Sequence, residues 1–163
     1  MRGTSNITRT GLHRTVAILF AMIAVCGSLL VSGPAQASTT TAAVYCYGSS
    51  CAGRDPSAMG CASDAYTVDV VFVDRLGRYE GLELRYSSAC NANWARLSAQ
   101  VYYGAWVSMC VVNDANRNDL QCTGSFRNSY RWSPMIDGSK RVFASVGYSL
   151  DSGGSGNART GAY

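Results

Sequence analysis

The chain has 163 residues, of which 15% are charged, and its formal net charge is +4. This length suits one domain with a substantial core. Three of the fourteen basic residues precede position 15, so the rest of the chain is close to neutral. A segment with so little net charge has no electrostatic basis for binding nucleic acid, and we expect no nucleic-acid partner.

Residues 1–37 have the features of a secretory signal peptide that is removed after export. Three arginines precede an almost wholly apolar run over residues 16–31, and residues 34–37 have the small-residue pattern that signal peptidase recognises. The apolar run is shorter than the roughly 20 residues that a bilayer span needs. We therefore expect a secreted, extracellular protein that begins at Ser38 and has no stable membrane anchor after processing.

Six cysteines remain once the signal is removed, and no histidine does, because His13 and Cys26 lie in the signal. An even number of cysteines in an exported chain predicts disulfides. Cys110 and Cys122 flank a polar turn, so we predict that they pair with each other. The pairing of the other four stays open: Cys46, Cys51, Cys61 and Cys90. A metal site is the rival interpretation, but the chain has no C-x-x-C and no mature histidine, so we expect no metal and no cofactor.

The N-terminal part of the mature chain predicts a short helix after a polar lead. Residues 38–44 are small and polar, and are expected to fray. Asp55 followed by Pro56 has the pattern of a helix cap and a first helical position. The helix is predicted to continue to Ala65 and to be pinned by Cys61.

Two strands joined by a hairpin turn are predicted next. Residues 68–74 and 81–86 are rich in strand-forming side chains, and residues 76–78 suit the turn. In the second strand the leucines alternate with Glu83 and Arg85. This alternation is typical of a half-buried antiparallel strand, so both charged side chains are expected to be exposed.

The second half of the chain predicts further strands. Residues 91–98 suit either a helical turn or a strand. Residues 101–112 are aromatic and β-branched, and a partner strand is expected to begin after Leu120. Residues 141–150 form another predicted strand, entered from a turn at residues 137–138.

Together these elements predict a mostly β fold for residues 45–150, built as a small single-domain β-barrel or sandwich. A short helical segment pinned by disulfides would precede the strands. Residues 151–163 are rich in glycine and serine, and this composition suits either a flexible tail or an edge hairpin.

The cysteine-rich region carries a resemblance to a known family. Residues 46–65 follow the pattern C-x-G-x-x-C-x-G-x-D-P-x-x-x-G-C-x-x-D-A, residues 82–87 read L-E-L-R-Y-S, and residues 90–96 read C-x-A-x-W-A-R. This arrangement resembles the YjfA-like family, a group of exported proteins of unknown function common in actinobacteria. The resemblance continues more loosely at residues 133–135 and 159–163. It implies export, disulfides and one compact domain, but no enzymatic activity, and it does not extend to Cys110 and Cys122.

The residues offer little for catalysis. Triads that need histidine are excluded in the mature chain, and Lys140, its one lysine, lies in a predicted turn. Paired carboxylates remain possible, as glycoside hydrolysis requires; the candidates are Asp55, Asp64, Asp74, Glu80 and Glu83. We expect Asp55 to cap the helix and Asp64 to bond local backbone of the cysteine-rich segment. The chain is therefore expected not to be an enzyme, and a hydrolase of envelope polysaccharide is an alternative.

The polar turn between Cys110 and Cys122 offers a weak alternative for metal binding. Asp114, Asn116 and Asn118 have the every-other-residue spacing that begins a calcium loop. The central glycine and the distal glutamate of such a loop are missing. Asparagine and aspartate also favour turns for backbone reasons, so a hairpin tip is the preferred interpretation.

Aromatic side chains are the remaining candidates for function, since all ten tyrosines and all three tryptophans lie beyond the signal. Aromatic and arginine side chains make good anchors at interfaces. The candidate binding residues are Tyr102, Tyr103, Trp106, Tyr130, Arg131 and Trp132. We expect a binding module that contacts another secreted protein or the cell envelope, for example within an antibacterial protein assembly. An extracellular protease inhibitor that presents the Cys110–Cys122 loop is a further alternative.

Overall fold

The computed structural model describes residues 43–74, 76, 81–98, 104–129 and 131–163. These residues belong to one compact unit, Thr39–Tyr163. The predicted signal peptide, most of the polar lead, and two of the three predicted turn residues at 76–78 lie outside the described residues. So do three of the candidate binding residues, which are Tyr102, Tyr103 and Tyr130.

Two four-stranded antiparallel sheets make up the fold. The strands are β1 (Tyr66–Phe72), β2 (Gly81–Ser87), β3 (Ala92–Leu97), β4 (Ala105–Asn113), β5 (Leu120–Cys122), β6 (Ile136–Asp137), β7 (Val142–Leu150) and β8 (Ser155–Arg159). The first sheet has the order β1-β2-β3-β6, and the second has the order β5-β4-β7-β8. Every neighbouring pair runs antiparallel.

The two sheets pack face to face over one apolar core. Leu82 and Leu84 of β2 meet Met109 and Val111 of β4 there, together with Val146 of β7. No named strand belongs to both sheets. The mostly β prediction is therefore confirmed and the arrangement is a sandwich, whereas the barrel alternative is wrong.

The predicted strands are present. The segments at 68–74 and 81–86 form β1 and β2, which pair with each other. The ambiguous segment at 91–98 forms β3 rather than a helical turn. The glycine-rich tail forms β8, which pairs with β7. Among the described residues, no helix is long and apolar enough to cross a membrane.

The predicted helix from Asp55 to Ala65 is wrong. The Asp55 carboxylate does accept hydrogen bonds from the backbone amides of Ser57 and Ala58, at 2.8 Å each, as a cap would. The chain then forms consecutive turns, because Gly60 has φ of +76°, which a right-handed helix does not allow. The described residues contain no α-helix, and their one helical element is a 3-10 turn at Gly48–Cys51.

Three disulfides link the described cysteines. Cys110 and Cys122 are joined, and they lie directly opposite each other on β4 and β5. The other two bonds are Cys46–Cys51 and Cys61–Cys90. These four buried cysteines form a second, smaller core with Ala92, Trp94 and Met135. Because Ala92 and Trp94 alternate with core residues of β3, this second core lies on the outer face of the first sheet.

The first sheet is consequently covered on both faces, which overturns the expected exposure of Glu83 and Arg85. Their side chains are only 11% and 12% exposed. The cysteine-rich segment, residues 46–65, lies over this face, and Arg85 Nη2 donates to the carbonyl oxygen of Ala65 at 2.6 Å. Alternation along β2 correctly placed Glu83 and Arg85 on the face opposite to the leucines, but it did not show that the cysteine-rich segment covers that face.

Candidate functional site

The predicted aromatic residues that the structure describes lie in two separate places. Trp106 is 45% exposed on β4, and the guanidinium carbon of Arg127 lies 4.9 Å from its ring centroid. Arg131 and Trp132 instead line a hollow beside Asp55. Trp106 lines neither of the two hollows that Trp132 borders.

Trp132 also borders a more enclosed hollow of about 200 Å³, which we call the tryptophan cleft. Its lining residues are Pro56, Ser57, Ala62, Arg85, Trp94, Arg96 and Trp132. Trp94 and Arg96 are two residues apart on β3 and so share its outer face. Trp132 forms an isolated bridge to Arg96, and its Nε1 donates to Asp55 Oδ2 at 2.8 Å. The turn that replaces the predicted helix thus forms one wall of the cleft.

The floor of the tryptophan cleft is a network of charged side chains. Glu83 lies directly opposite Arg96 in the β2–β3 register. Its Oε2 accepts from Arg96 Nε at 2.8 Å and lies 2.6 Å from Arg96 Nη2. Arg85 Nη1 lies 3.5 Å from the same oxygen and donates to Thr67 Oγ1 at 2.6 Å. Two guanidinium groups face one carboxylate, so the floor carries net positive charge in a position largely shielded from water.

A larger hollow of about 460 Å³, which we call the tyrosine groove, lies at the end of the sandwich. Tyr86 and Asn93 continue the inner faces of β2 and β3 past the apolar core. The lining residues are Tyr66, Val68, Tyr86, Asn93, Gly138, Ser139, Lys140, Arg141 and Tyr163. The groove therefore combines residues from the first sheet, from the loop between β6 and β7, and from the C-terminus.

Tyr66 and Tyr86 are fixed in one wall of the tyrosine groove. They are partners in the β1–β2 register, and their ring centroids are 5.7 Å apart at an interplanar angle of 74°. Tyr86 Oη donates to Asn91 Oδ1 at 3.0 Å. Burial, followed by the fields of Tyr66, Tyr47 and Asp64, raises the pKa of Tyr86. Its phenol therefore stays protonated at neutral pH.

The opposite wall of the tyrosine groove presents two cations. Lys140 Nζ contacts Asp119 Oδ2 at 2.7 Å, and this hydrogen bond, followed by one from Asn113, holds the pKa of Asp119 below its usual value. Arg141 Nε donates to the carbonyl oxygen of Ala162 at 3.2 Å. These bonds restrict both cationic side chains before any ligand arrives.

Asp64 lies in a different environment from the predicted one. Its carboxylate accepts hydrogen bonds from Ser87 Oγ at 2.5 Å, Ser88 Oγ at 3.1 Å and the Ala89 amide at 2.9 Å. Ser87 is the last residue of β2, and Ser88 and Ala89 follow it in the β2–β3 turn, so none of these partners lies in the cysteine-rich segment. Burial raises the pKa of Asp64, but the hydrogen bonds from Ser87, Ala89 and Ser88 outweigh it, so the pKa is lowered. Asp64 thus ties the cysteine-rich segment to the first sheet.

Two of the three residues considered for calcium, Asp114 and Asn116, have side-chain oxygens that already contact donors of the chain. Asp114 Oδ1 pairs with Arg117 Nη2 at 2.8 Å, and Asp114 Oδ2 lies 3.7 Å from Arg141 Nε. Asn116 Oδ1 accepts from the backbone amide of Asn118 at 3.2 Å, and Asn113 Oδ1 accepts from the amide of Ala115 at 3.0 Å. The two asparagine contacts are the side-chain-to-backbone bonds through which asparagine stabilises turns.

Sequence reasoning missed the residues of the tyrosine groove. β1 contains a bulge between Thr67 and Asp69, and this irregularity places Tyr66 opposite Tyr86. An unbroken ladder extended from the pair Phe72–Gly81 would instead place Tyr66 opposite Ser87. The available signal was the spacing of tyrosines around the predicted hairpin, which does not locate a bulge.

Residues 49–144 match a protein-family model described as "Protein of unknown function (DUF2690)". A search of curated proteins and a search of solved structures each found no match. The matched range contains every residue that lines the tryptophan cleft, whereas Cys46 and Tyr163 lie outside it. Since the model covers more than half of the chain, the protein belongs to the DUF2690 family of proteins of unknown function.

Proposed function

We propose that the chain is a secreted, non-catalytic binding module that contacts another extracellular protein or a component of the cell envelope through the tyrosine groove. The observation that carries this proposal is the combination in one groove of Tyr66, Tyr86 and Tyr163 with Lys140 and Arg141. The groove volume of about 460 Å³ lies within the range of small-ligand and side-chain sites.

The chemistry of the tyrosine groove suits recognition. Tyr66 and Tyr163 are more than half exposed, and tyrosine offers a large amphipathic surface at low cost in conformational entropy. Lys140 is paired with Asp119 at 2.7 Å, so attraction for an anionic group comes mainly from Arg141, whose side chain is 69% exposed and lies 3.7 Å from Asp114. The best partner therefore presents an apolar or sugar surface next to a carboxylate.

Secretion is part of the same proposal. Three disulfides support it, since such bonds persist in oxidising compartments. The signal-like residues 1–37 and the resemblance to the YjfA-like family of exported proteins are consistent with export. A role within a secreted antibacterial protein assembly is the specific form of this proposal.

The environment of three of the five candidate carboxylates favours binding over hydrolysis; Glu80 lies outside the described residues. A glycoside hydrolase needs two carboxyl groups that face one substrate. Asp55 caps a turn and accepts from Trp132, Asp64 accepts from the β2–β3 turn, and Glu83 is held by two arginines. Each of these three candidates is already engaged by donors of the chain itself.

The test is to immobilise the exported protein and equilibrate it with concentrated culture supernatant and, separately, with solubilised cell-wall fragments. Bound material is identified by mass spectrometry and its affinity is measured by titration. We expect one saturable partner, and Tyr66→Ser or Tyr163→Ser should weaken its binding by about 2 kcal/mol, or roughly 30-fold. Tyr45→Ser is the matched control, because Tyr45 is 70% exposed but lines no part of the tyrosine groove.

Two outcomes would contradict this proposal. One is that neither fraction contains a saturable partner. The other is that the partner binds both tyrosine variants as well as it binds the Tyr45→Ser control. Release of sugar fragments from the wall material by the protein would instead support the hydrolase alternative.

A further inference from the structure

The four cysteines of the second core lie unusually close together. The Sγ atoms of Cys46, Cys51, Cys61 and Cys90 are all within 4.8 Å of one another, and all four residues are buried. Cys46 Sγ and Cys61 Sγ belong to different disulfides, yet they are 3.7 Å apart. The two disulfides therefore lie side by side as one sulfur cluster.

The dimensions of this cluster are close to those of a tetrahedral metal site. A zinc ion bound by four thiolates has Zn–S bonds of about 2.3 Å, which places the sulfurs about 3.8 Å apart. The contact between Cys46 and Cys61 already has this length. To reach this geometry, the two sulfurs of each disulfide must separate from roughly 2 Å to about 3.8 Å. Cys46 and Cys51 are also separated by four residues, within the spacing that zinc sites use.

The sulfur cluster does not depend on the disulfides alone for its shape. The Gly48 amide donates to the carbonyl oxygen of Cys90 at 2.8 Å, and the Tyr45 amide donates to Met59 at 3.0 Å. The Cys90 amide donates to Ser87 Oγ at 3.1 Å. These bonds connect the segments that carry all four cysteines, and none of them requires an S–S bond.

We propose that the thiol form of the chain, as it exists before oxidation, binds one zinc ion through Cys46, Cys51, Cys61 and Cys90, and that oxidation to the two disulfides releases it. Cys110 and Cys122 take no part, because they lie opposite each other on two strands of the second sheet. The site would hold the cysteine-rich segment on the first sheet until oxidation makes that attachment covalent.

The proposed steps balance. On binding, four thiols lose four protons and form four Zn–S bonds. Oxidation is carried out by two molecules of an external disulfide, such as oxidised glutathione. The four thiolates then give up four electrons and form two S–S bonds, while the external disulfides become four thiolates and zinc leaves as Zn²⁺.

The test uses the exported protein, reduced with a phosphine and then freed of reductant under anaerobic conditions. Titration with Co²⁺ should give the visible spectrum of a tetrahedral cobalt–thiolate site at one equivalent per chain, and Zn²⁺ should displace the cobalt. Cys61→Ser should weaken zinc binding at least 100-fold. The double variant Cys110→Ser and Cys122→Ser is the matched control and should keep the full stoichiometry.

A second measurement uses only the wild-type chain, so its result does not depend on whether the Cys61→Ser variant folds. Zinc-loaded wild-type protein is treated with oxidised glutathione, and thiols and free zinc are counted over time. Zinc should slow oxidation of the four clustered cysteines but not of Cys110 and Cys122, and one zinc should appear as four thiols disappear. Absence of the tetrahedral cobalt spectrum would overturn the proposal. Equal oxidation rates with and without zinc would overturn it as well.

Discussion

Replacing Glu83 by glutamine tests whether the floor of the tryptophan cleft depends on charge compensation. The change keeps the size of the side chain and one neutral acceptor oxygen, but it removes the negative charge between two guanidinium groups. Arg85 and Glu83 are almost buried, whereas the side chain of Arg96 is 28% exposed. Glu83→Gln therefore leaves Arg85 with little access to water and Arg96 with partial access.

The expected cost of Glu83→Gln follows from these exposures. Breaking a fully buried ion pair by removing one partner costs about 3–5 kcal/mol. Water reaches part of Arg96, and the amide oxygen still accepts a hydrogen bond worth about 1 kcal/mol. We therefore expect the free energy of unfolding to fall by about 2–3 kcal/mol. The double variant Glu83→Gln with Arg96→Gln should lose about 1–2 kcal/mol less unfolding free energy than the sum of the losses of the two single variants.

The assay is urea denaturation of the oxidised protein, with the unfolding free energy taken by linear extrapolation. Asp114→Asn is the matched control, because Asp114 is 30% exposed and its two ion-pair partners, Arg117 and Arg141, are 54% and 69% exposed. That variant should lose less than about 1 kcal/mol. If Glu83→Gln costs no more than this control, or if the double variant shows no coupling, the charge network does not stabilise the first sheet as we infer.

Three further predictions concern other parts of the fold. Because the pKa of Asp64 is lowered from 3.8, its ionised carboxylate stabilises the fold above pH 3.8, and this stability is lost as pH falls through the folded pKa. The difference in unfolding free energy between wild type and Asp64→Asn should therefore shrink in acid. A difference independent of pH would contradict this. Gly60→Ala should cost more than about 1 kcal/mol, because alanine disfavours the positive φ and its Cβ would collide with the Ala43 carbonyl oxygen. Gly124→Ala, where a Cβ has open space, should change thermal stability little; equal shifts would contradict this reasoning. Removing the Cys110–Cys122 disulfide by a double change to serine should cost about 2–4 kcal/mol in urea, and a loss below about 1 kcal/mol would show that the turn is stable without it.

Local pattern predicted most of the strands. Alternation between leucines and charges identified β2, and a polar turn between two cysteines indicated the β4–β5 pair joined by Cys110 and Cys122. These signals depend on neighbours in the sequence, so no tertiary information is needed to see them. The same kind of signal failed at Asp55. The cap forms there, but the positive φ of Gly60 is incompatible with a right-handed helix, and the sequence alone does not reveal the φ of a glycine.

The candidate sites were much harder to predict from the sequence. Trp132 was identified as a candidate, but its partners in the tryptophan cleft were not, because Arg96 and Asp55 are distant in the chain. The tyrosine groove depends on a bulge at residues 67–69 that brings Tyr66 opposite Tyr86. A bulge changes the register by one residue and is not visible in composition or alternation.

The sequence by itself determined that this chain forms β-sheets and that its six cysteines beyond residue 37 pair. Periodicity and cysteine count are properties of short segments or of the whole composition, so they can be recognised without a structure. Only the tertiary structure decided that the outer face of the first sheet is covered, that Glu83 is buried there, and that four sulfurs form one cluster. Those features arise where segments distant in the sequence pack together, and no local pattern records that packing.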